Sequence, residues 1–461
     1  MSLKLTFCGG AGKVTGSNFL IEGTKGKILV DCGLEQGGDF CTEEVYGAFP
    51  YDVKSIDALV VTHAHLDHVG RIPKLVKDGF HGKIYMTPPT RDLTELILRD
   101  SVKILGEDAL RRGMSPLYAE QNVDDALALV ETVGYHEEKE VASGISVYLR
   151  NTGHILGSAS VRIKDEDGDT LALTGDIGNS PSPLLPDWEA VTDADVLVME
   201  STYGDRLHAA QQSRAEILVE ALKRAIARGG AILIPAFSLE RTQLMLYELS
   251  NFFDAGDLPK IPVFLDSPLA IKITAVYEKW GPTYFKPAVE DEIKREGSVF
   301  NFPFLKKTPS RQDAGEIERT PNPKIIIAGA GMSHGGRIGG WEAQYLPDPA
   351  TTLFMVGYQA PGTPGRQIVE GSGSVRLGGN EVKVKATVEK LEGWSAHADR
   401  DELLKFAQAT LPRTKNIFVA LGEPAAERFL AQRIHDYLDT NAIVPEMGQS
   451  WEITKGSVKE I

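Results

Sequence analysis

The feature that most constrains this chain is a cluster of four ligand-type side chains in the segment THAHLDHVG. The cluster consists of His63, His65, Asp67 and His68. It directly follows residues 56–61, a run that is apolar except for Asp57 and of the kind found in buried strands. Imidazole nitrogens and carboxylate oxygens are common protein ligands of zinc. Three histidines and one aspartate at the end of a buried strand therefore predict a metal site rather than a solvated polar turn.

Three residues near other strand-like runs are candidates for the same site. His154 lies in a loop between two such runs, although a lone histidine in a glycine-flanked loop is more often structural. Asp176 follows the run LALTG, and a carboxylate there could bridge two metals. Asp31 ends the run ILVD, where we expect it to support the histidine cluster by orienting an imidazole.

Length, charge and cysteine content exclude several classes of protein. The chain has 461 residues, which allows two to three domains, and it contains no apolar run of the length that spans a membrane. No secretory signal is recognisable at the N-terminus. Three cysteines cannot build a disulfide framework, so we expect a cytoplasmic protein without a membrane partner. The net charge of -15 argues against non-specific coating of nucleic acid, so a polyanion would need local basic groups or metal ions.

The order of the predicted elements changes twice along the chain. Strands separated by turns dominate the start, whereas strands alternate with helices in the middle, a pattern typical of a parallel sheet. We therefore predict a domain inserted into a host domain. The polar stretch 308–323 is predicted to be a loop. The predicted boundaries give a host domain of residues 1–206 and 381–461 around an insertion of residues 207–380.

The spacing of the histidines and aspartates resembles that of the metallo-β-lactamase superfamily. The resemblance implies an α/β fold, an αββα sandwich in which two β-sheets pack between helices, with metals at the ends of the sheets. It also implies two Zn²⁺ sites. His63, His65 and His154 would hold one zinc, Asp67 and His68 would hold the other, and Asp176 would bridge them.

Later segments resemble the β-CASP branch of that superfamily, which contains metal-dependent nucleases. They are ESTYGDRLH, PAFSLERTQ, LDSPLA, GMSHGGR and GWSAHADRDEL, and the similarity covers nearly the whole chain. The resemblance implies an inserted α/β β-CASP domain and hydrolysis of single-stranded RNA by a metal-bound hydroxide. It assigns catalytic roles to Glu200 and His397, with His397 as the general acid that Glu200 orients. Asp67 would help to orient the hydroxide.

The segment GAGMSHGGR is the predicted phosphate-binding element. Gly335 and Gly336 would let backbone N–H groups form an anion-binding nest, and Arg337 could pair with a phosphate. Ser395 is a further candidate phosphate donor. The alternative interpretation of this segment is a tight turn between domains.

The chain departs from the β-CASP pattern at one position. The branch carries a histidine that ends a strand before Gly-Glu and completes the second zinc site, whereas this chain has Leu421 there. Leucine cannot ligate a metal, so the second site is expected to be weakened, with Mn²⁺ as another metal for it. Water or His334 could supply the missing ligand.

Two other functions remain open on the sequence alone. One is hydrolysis of a small ester or another metabolite in the same fold, which Glu200, His397 and the inserted domain argue against. The other is a weakly active subunit of an RNA-processing complex, which only Leu421 favours. The sequence does not decide between endonuclease and exonuclease action, base preference, DNA cleavage or oligomeric state, for which a homodimer is one option.

Overall fold

The chain forms two compact units in the computed structural model, which describes residues 3–36, 41–208, 214–333, 335–357, 359, 362–391 and 393–461. The first unit comprises residues 1–207 and 397–461, and the second comprises residues 208–396. The first segment of the first unit ends at residue 207, one residue after the predicted boundary at residue 206. The second boundary lies at 396 rather than 380, because strand β19 (Thr387–Lys390) pairs in parallel with strand β16 (Thr352–Met355) of the inserted sheet. No helix in the described ranges is long and apolar enough to cross a membrane.

Two β-sheets form the centre of the first unit, with elements numbered along the chain. The eight-stranded sheet has the order β23-β22-β1-β2-β3-β4-β5-β6, and the seven-stranded sheet has the order β21-β20-β11-β10-β9-β8-β7. The strands of the larger sheet are β1 (Leu3–Phe7), β2 (Phe19–Glu22), β3 (Lys27–Val30), β4 (Ala58–Val60), β5 (Lys83–Met86), β6 (Val130–Thr132), β22 (Ser450–Thr454) and β23 (Ser457–Glu460). Those of the smaller sheet are β7 (Glu138–Ala142), β8 (Ile145–Asn151), β9 (Ala159–Asp165), β10 (Thr170–Leu173), β11 (Val196–Met199), β20 (Asn416–Val419) and β21 (Asn441–Ile443).

Apolar side chains on the facing sides of the two sheets pack into one core. In β8, for example, Ile145, Val147 and Leu149 are buried, while Tyr148 and Arg150 on the opposite side of the strand are partly exposed. Helices cover the outer side of each sheet, so the predicted αββα sandwich is confirmed. The helices are α1 (Glu43–Tyr46), α2 (Leu66–Val69), α3 (Ile72–Lys77), α4 (Pro88–Arg111), α5 (Glu120–Ala128), α13 (Arg400–Ala409) and α14 (Pro424–Leu438).

The second unit contains a six-stranded parallel sheet and a two-stranded ribbon. The order in the parallel sheet is β14-β13-β15-β12-β16-β19, and the alternation of strands with helices follows the sequence prediction. The remaining strands are β12 (Ala231–Pro235), β13 (Val263–Leu265), β14 (Leu305–Lys307), β15 (Lys324–Ala328), β17 (Ser374–Leu377) and β18 (Asn380–Lys383). The helices are α6 (Arg214–Arg228), α7 (Arg241–Asp254), α8 (Pro268–Tyr284), α9 (Pro287–Glu296), α10 (Arg311–Arg319), α11 (Ile338–Tyr345) and α12 (Pro364–Val369).

The prediction of a loop over residues 308–323 is wrong, because this stretch contains helix α10. Ser310 accepts a hydrogen bond from the backbone N–H of Asp313, whose carboxylate accepts one from the backbone N–H of Ser310. Ile317 is the only buried residue of the helix. Ala314 and Ile317 are the only apolar residues of this helix, so its apolar periodicity was a weak signal and its capping pair was the clearer one.

Two backbone segments approach closely at Leu66 and Asp67, in the middle of the predicted metal motif. The N–H of Ser17 donates to the carbonyl oxygen of Asp67 over 2.9 Å, and the N–H of Leu34 donates to that of Leu66 over 3.0 Å. Gly33 lies between these contacts. A Cβ atom on Gly33 would lie 1.6 Å from the Asp67 carbonyl oxygen, so no other residue fits without moving the motif.

Gly33→Ala is expected to destabilise the protein by at least ~2 kcal/mol, because the added methyl group must push backbone aside. Gly106→Ala is the matched control: an added Cβ at Gly106, inside α4, meets no atom within 4 Å. Alanine there should stabilise the helix by about 0.5–1 kcal/mol. Thermal unfolding of both variants checks the prediction, and a Gly33→Ala protein as stable as the wild type would contradict it.

Candidate metal centre

The candidate site residues of the first unit lie just beyond the ends of several strands. His63 follows β4, His154 follows β8, Asp176 follows β10 and Glu200 follows β11. Strands β10, β11 and β20 run parallel to one another, so their carboxyl ends meet at one edge of the sheet. His397 joins this edge through an isolated bridge to Gly178. Residues far apart in the sequence thus converge at one place.

The first group of converging ligand atoms matches the first predicted zinc site. The Nδ1 atom of His65 lies 3.1 Å from Nε2 of His63 and 3.2 Å from Nε2 of His154. Oδ2 of Asp176 lies 3.4 Å from Nε2 of both His63 and His154, and one ligand atom from each of the four residues falls within 4.8 Å of the others. Burial, together with neighbouring imidazoles, lowers the pKa of His65 and of His154 well below 6.5. Both are therefore held in the neutral form that binds a metal.

His68 is fixed on one side and open on the other. Its Nδ1 atom lies 2.6 Å from Oδ2 of Asp31, which also accepts a hydrogen bond from the hydroxyl of Ser17, while Oδ1 accepts one from the N–H of Thr62. Among the described residues, its buried Nε2 atom has no partner at hydrogen-bonding geometry, and it lies 3.5 Å from Oδ1 of Asp176. Asp31 thus contacts the imidazole of His68 directly, and a metal ion would satisfy the buried nitrogen.

Asp67, a predicted ligand of the second site, forms a side-chain hydrogen bond within the protein. It is partly exposed, and its Oδ1 accepts a hydrogen bond of 3.3 Å from Nε2 of Gln36. Its partial burial and the nearby carboxylate of Asp176 raise its pKa, against the lowering effect of His68. Within the described residues, neither group of at least three converging ligand atoms includes Asp67 or His68. Those two residues remain predicted ligands.

The second group of converging atoms consists of Asp176, Glu200 and His397. Nδ1 of His397 lies 3.2 Å from Oε2 of Glu200 and 3.8 Å from Oδ2 of Asp176. Glu200 is itself held by a 2.5 Å hydrogen bond from the N–H of Ile177. Burial alone would lower the pKa of His397, but the carboxylates of Glu200 and Asp176 raise it to about 9. The two carboxylates therefore favour the protonated imidazole.

The predicted phosphate-binding residues lie in the second unit, where Arg337 has an internal role. Its guanidinium donates to Oδ1 of the buried Asp266 over 2.6 Å and to the carbonyl oxygens of Thr308 and Pro309 over 2.8 and 3.1 Å. These bonds tie the start of α11 to the loop before α10. The predicted pairing of Arg337 with a phosphate would therefore compete with its ion pair to the buried Asp266.

The glycines beside Arg337 differ in their surroundings. A Cβ atom on Gly336 would lie 2.2 Å from the carbonyl oxygen of Gly329, whereas one on Gly335 would meet no described atom within 4 Å. Close packing thus accounts for Gly336. Ser395 also belongs to the second unit, and His334 lies outside the described residues.

Leu421 packs in the apolar core between the two sheets. Its backbone has a φ of 52°, in the left-handed region, and its N–H donates to the carbonyl oxygen of Gly10 over 2.6 Å. A Cβ atom on Gly10 would lie 2.6 Å from Cδ2 of Leu421. The leucine side chain therefore fills space beside the glycine-rich turn.

Sequence reasoning missed several residues that hold or flank the centre. Thr62 donates its hydroxyl to Asp31 over 2.9 Å, and its position immediately before His63 was the available signal. The ring of Tyr203 lies 6.1 Å from that of His397, and the guanidinium of Arg206 lies 5.6 Å from the Tyr203 ring. Both residues belong to the same ESTYGDR segment as Glu200.

Three family models match successive parts of the chain. The model of the metallo-beta-lactamase superfamily matches residues 11–236, and that of the Beta-Casp domain matches residues 242–368. The model of the Zn-dependent metallo-hydrolase RNA specificity domain matches residues 381–445. The matches follow the order of domains expected from the sequence motifs.

Curated relatives match over most of their length. Ribonuclease TTHA0252 of Thermus thermophilus is 35% identical, with 87% of this chain and 89% of that protein covered. An RNase J-like protein of Methanocaldococcus jannaschii is 32% identical, with 96% and 98% covered. Transcription termination factor FttA of Pyrococcus horikoshii is 33% identical, with 94% and 68% covered.

A solved structure shares the fold at much lower identity. A protein of unknown function from Enterococcus faecalis V583 superimposes with a TM-score of 0.58 at 12% identity, with 98% of this chain and all of that chain covered. At that identity the likeness concerns the fold alone.

The relatives and the family models together show the family of this chain. The chain belongs to the metallo-β-lactamase superfamily, a fold that binds divalent metal ions, and within it to the β-CASP family.

Proposed function

We propose that this protein is a zinc-dependent ribonuclease that hydrolyses phosphodiester bonds of single-stranded RNA. The observation that carries the proposal is the contact of the Glu200–His397 pair with Asp176, a member of the four-residue donor group. This arrangement sets a proton donor beside a candidate metal centre. The names of the ribonuclease relatives and of the RNA specificity model support RNA as the substrate.

The donor set of the first group suits zinc. Three imidazole nitrogens and one carboxylate oxygen are typical zinc ligands, and two of the imidazoles are held neutral. When bound, metal ions supply Lewis acidity that activates water and stabilises charge on the phosphoryl group. Asp176 belongs to both donor groups, so a second ion would share it with the first. The buried Nε2 atom of His68 would be a further ligand of that second ion. We propose that this second ion binds more weakly, because Leu421 provides no ligand.

His397 supplies the proton in the proposed reaction. Glu200 fixes its imidazole by a contact of 3.2 Å and stabilises the protonated form. Cleavage of a phosphodiester leaves an alkoxide oxygen that must be protonated, and the imidazolium of His397 can donate that proton. Glu200 keeps the ring in place and is itself held by the N–H groups of Ile177 and Thr202.

The cytoplasm is the proposed compartment. No disulfide joins Cys8, Cys32 and Cys41 in the described structure, and burial raises the pKa of Cys8 and of Cys32 to about 12. Such buried thiols are poor nucleophiles. The proposal of a reducing compartment rests on the cysteine number, since three cysteines are too few for a disulfide framework.

The purified protein is expected to contain zinc, and chelation should abolish cleavage of labelled single-stranded RNA until Zn²⁺ or Mn²⁺ is returned. His154→Ala should lower the metal content because it removes a ligand of the first group. The exposed His81 is the matched control, and His81→Ala should keep the metal. Elemental analysis that finds less than about 0.5 metal per chain in undialysed wild-type protein would overturn the proposed site.

His397→Ala should slow RNA cleavage by roughly 10²- to 10⁴-fold, the range for loss of a general acid. The metal content should remain that of the wild type, because the proposal gives His397 no ligand role. Because His397 belongs to the second donor group, the metal content of this variant decides whether the residue is a proton donor or a metal ligand. Loss of metal together with activity would reassign His397 as a ligand.

Cleavage should decline as the pH rises through about 9, where His397 loses its proton. The sign follows from the raised pKa: the acid form is present below that value and absent above it. Glu200→Gln removes the carboxylate that raises the pKa of His397 most. The decline of cleavage at high pH should therefore begin at a lower pH in this variant. Glu131→Gln, which removes a carboxylate paired with Lys139, is the control and should leave the pH profile unchanged. An unshifted profile in Glu200→Gln would rule out His397 as the titrating acid.

A further inference from the structure

The outer side of α14 carries two aromatic rings with an arginine between them. Phe429, Arg433 and Tyr437 are spaced four residues apart, so they lie along one side of the helix. The guanidinium carbon of Arg433 lies 5.2 Å from the centroid of each ring, and its NH1 group donates to the Tyr437 hydroxyl over 2.8 Å. These three residues are named the α14 ladder.

The ladder faces away from the protein interior. The Phe429 and Tyr437 side chains are 37% and 64% exposed, whereas Leu430 and Ile434 on the other side of α14 are fully buried against the second sheet. Neither ring belongs to the apolar cores formed by the described residues. The rings are thus available to another molecule, and the helix does not need them to pack on its sheet.

The helix that carries the ladder starts beside the candidate centre. Gly422, two residues before α14, packs so closely on Ser201 that an added Cβ would lie 2.2 Å from the Ser201 hydroxyl oxygen. Ser201 directly follows Glu200. With a rise of about 1.5 Å per residue, Phe429 and Tyr437 lie roughly 8 and 20 Å along the helix from its first residue. The ladder could therefore contact a strand that extends outward from the centre.

We propose that the α14 ladder binds a flanking part of the substrate by stacking unpaired bases of single-stranded RNA on Phe429 and Tyr437. This inference rests on the proposed ribonuclease function. The net charge of -15 leaves little general attraction for RNA, so binding must come from local contacts. Aromatic rings stack on any unpaired base, and an arginine adds cation–π and phosphate contacts. The RNA specificity domain match, residues 381–445, includes all three ladder residues.

The test compares RNA binding by the wild type and by the double variant Phe429→Leu/Tyr437→Leu. Leucine has a higher helix propensity than either aromatic residue, so the variant should fold. Fluorescence anisotropy with a labelled ten-nucleotide oligoadenylate, in chelator to stop turnover, should give a Kd roughly 10- to 100-fold weaker than that of the wild type.

Two control variants separate stacking from other effects. Tyr437→Phe keeps the ring and loses only the hydroxyl that Arg433 contacts, so it should bind within about twofold of the wild type. Leu110→Ala removes an apolar side chain of α4 that is 79% exposed, and it should bind and cleave like the wild type. Equal weakening by Leu110→Ala would contradict a specific role of the ladder.

An unchanged Kd in the double variant would overturn the inference. If the Kd is unchanged but the melting temperature falls, the ladder serves only to stabilise the helix. If the Kd is unchanged but sedimentation shows altered self-association, the ladder is a protein contact. These outcomes leave the ribonuclease proposal standing when the wild type cleaves RNA. A wild type that neither cleaves nor binds RNA would refute the proposed function, and the ladder inference with it.

Discussion

The carboxylate of Asp176 is the group on which the candidate centre depends. It is almost fully buried, and its oxygens lie 3.4–3.8 Å from nitrogens of His63, His154, His68 and His397. Burial opposes its ionisation, but the surrounding imidazoles, His68 foremost, lower its pKa well below 3.8. A single negative charge thus links both donor groups and raises the pKa of His397. Electrostatic coupling through one residue joins metal binding to proton donation in the proposed mechanism.

The structure around this carboxylate is held by side-chain hydrogen bonds and by close backbone contacts. Asp31 holds His68 and accepts the N–H of Thr62, while Gly33 allows the Asp67 carbonyl to approach the Ser17 N–H. Each of these contacts satisfies a buried polar group that would otherwise be costly. A second close contact holds the segment that carries Glu200. Gly422 packs against Ser201, so the start of α14 lies beside that segment.

Two of the residues considered in the sequence analysis turn out to have internal structural contacts. Arg337 is bound to the buried Asp266 and to loop carbonyls, and Leu421 fills the space between the sheets beside Gly10. A sequence motif records which residue type occurs at a position, but it does not reveal which neighbours the side chain meets. The motifs were informative for Glu200 and His397 because the structure brings those two together over 196 intervening residues.

The sequence by itself implied the αββα sandwich and the grouping of His63, His65, His154 and Asp176 through its resemblance to the metallo-β-lactamase superfamily, and the alternation of strands with helices predicted the inserted parallel sheet. Local signals alone supplied the cluster of ligand-type residues at the end of a buried strand and the candidate acids after other strand-like runs. Only the tertiary structure decided the boundary at residue 396, the burial of the His68 Nε2 atom, the contact of Asp176 with the Glu200–His397 pair and the exposure of the α14 ladder. These features arise from contacts between residues far apart in the chain, and no local pattern encodes them. Helix α10 differs from these features, because its capping pair is a local signal in the sequence. The helix was nevertheless not predicted, since few of its residues are apolar.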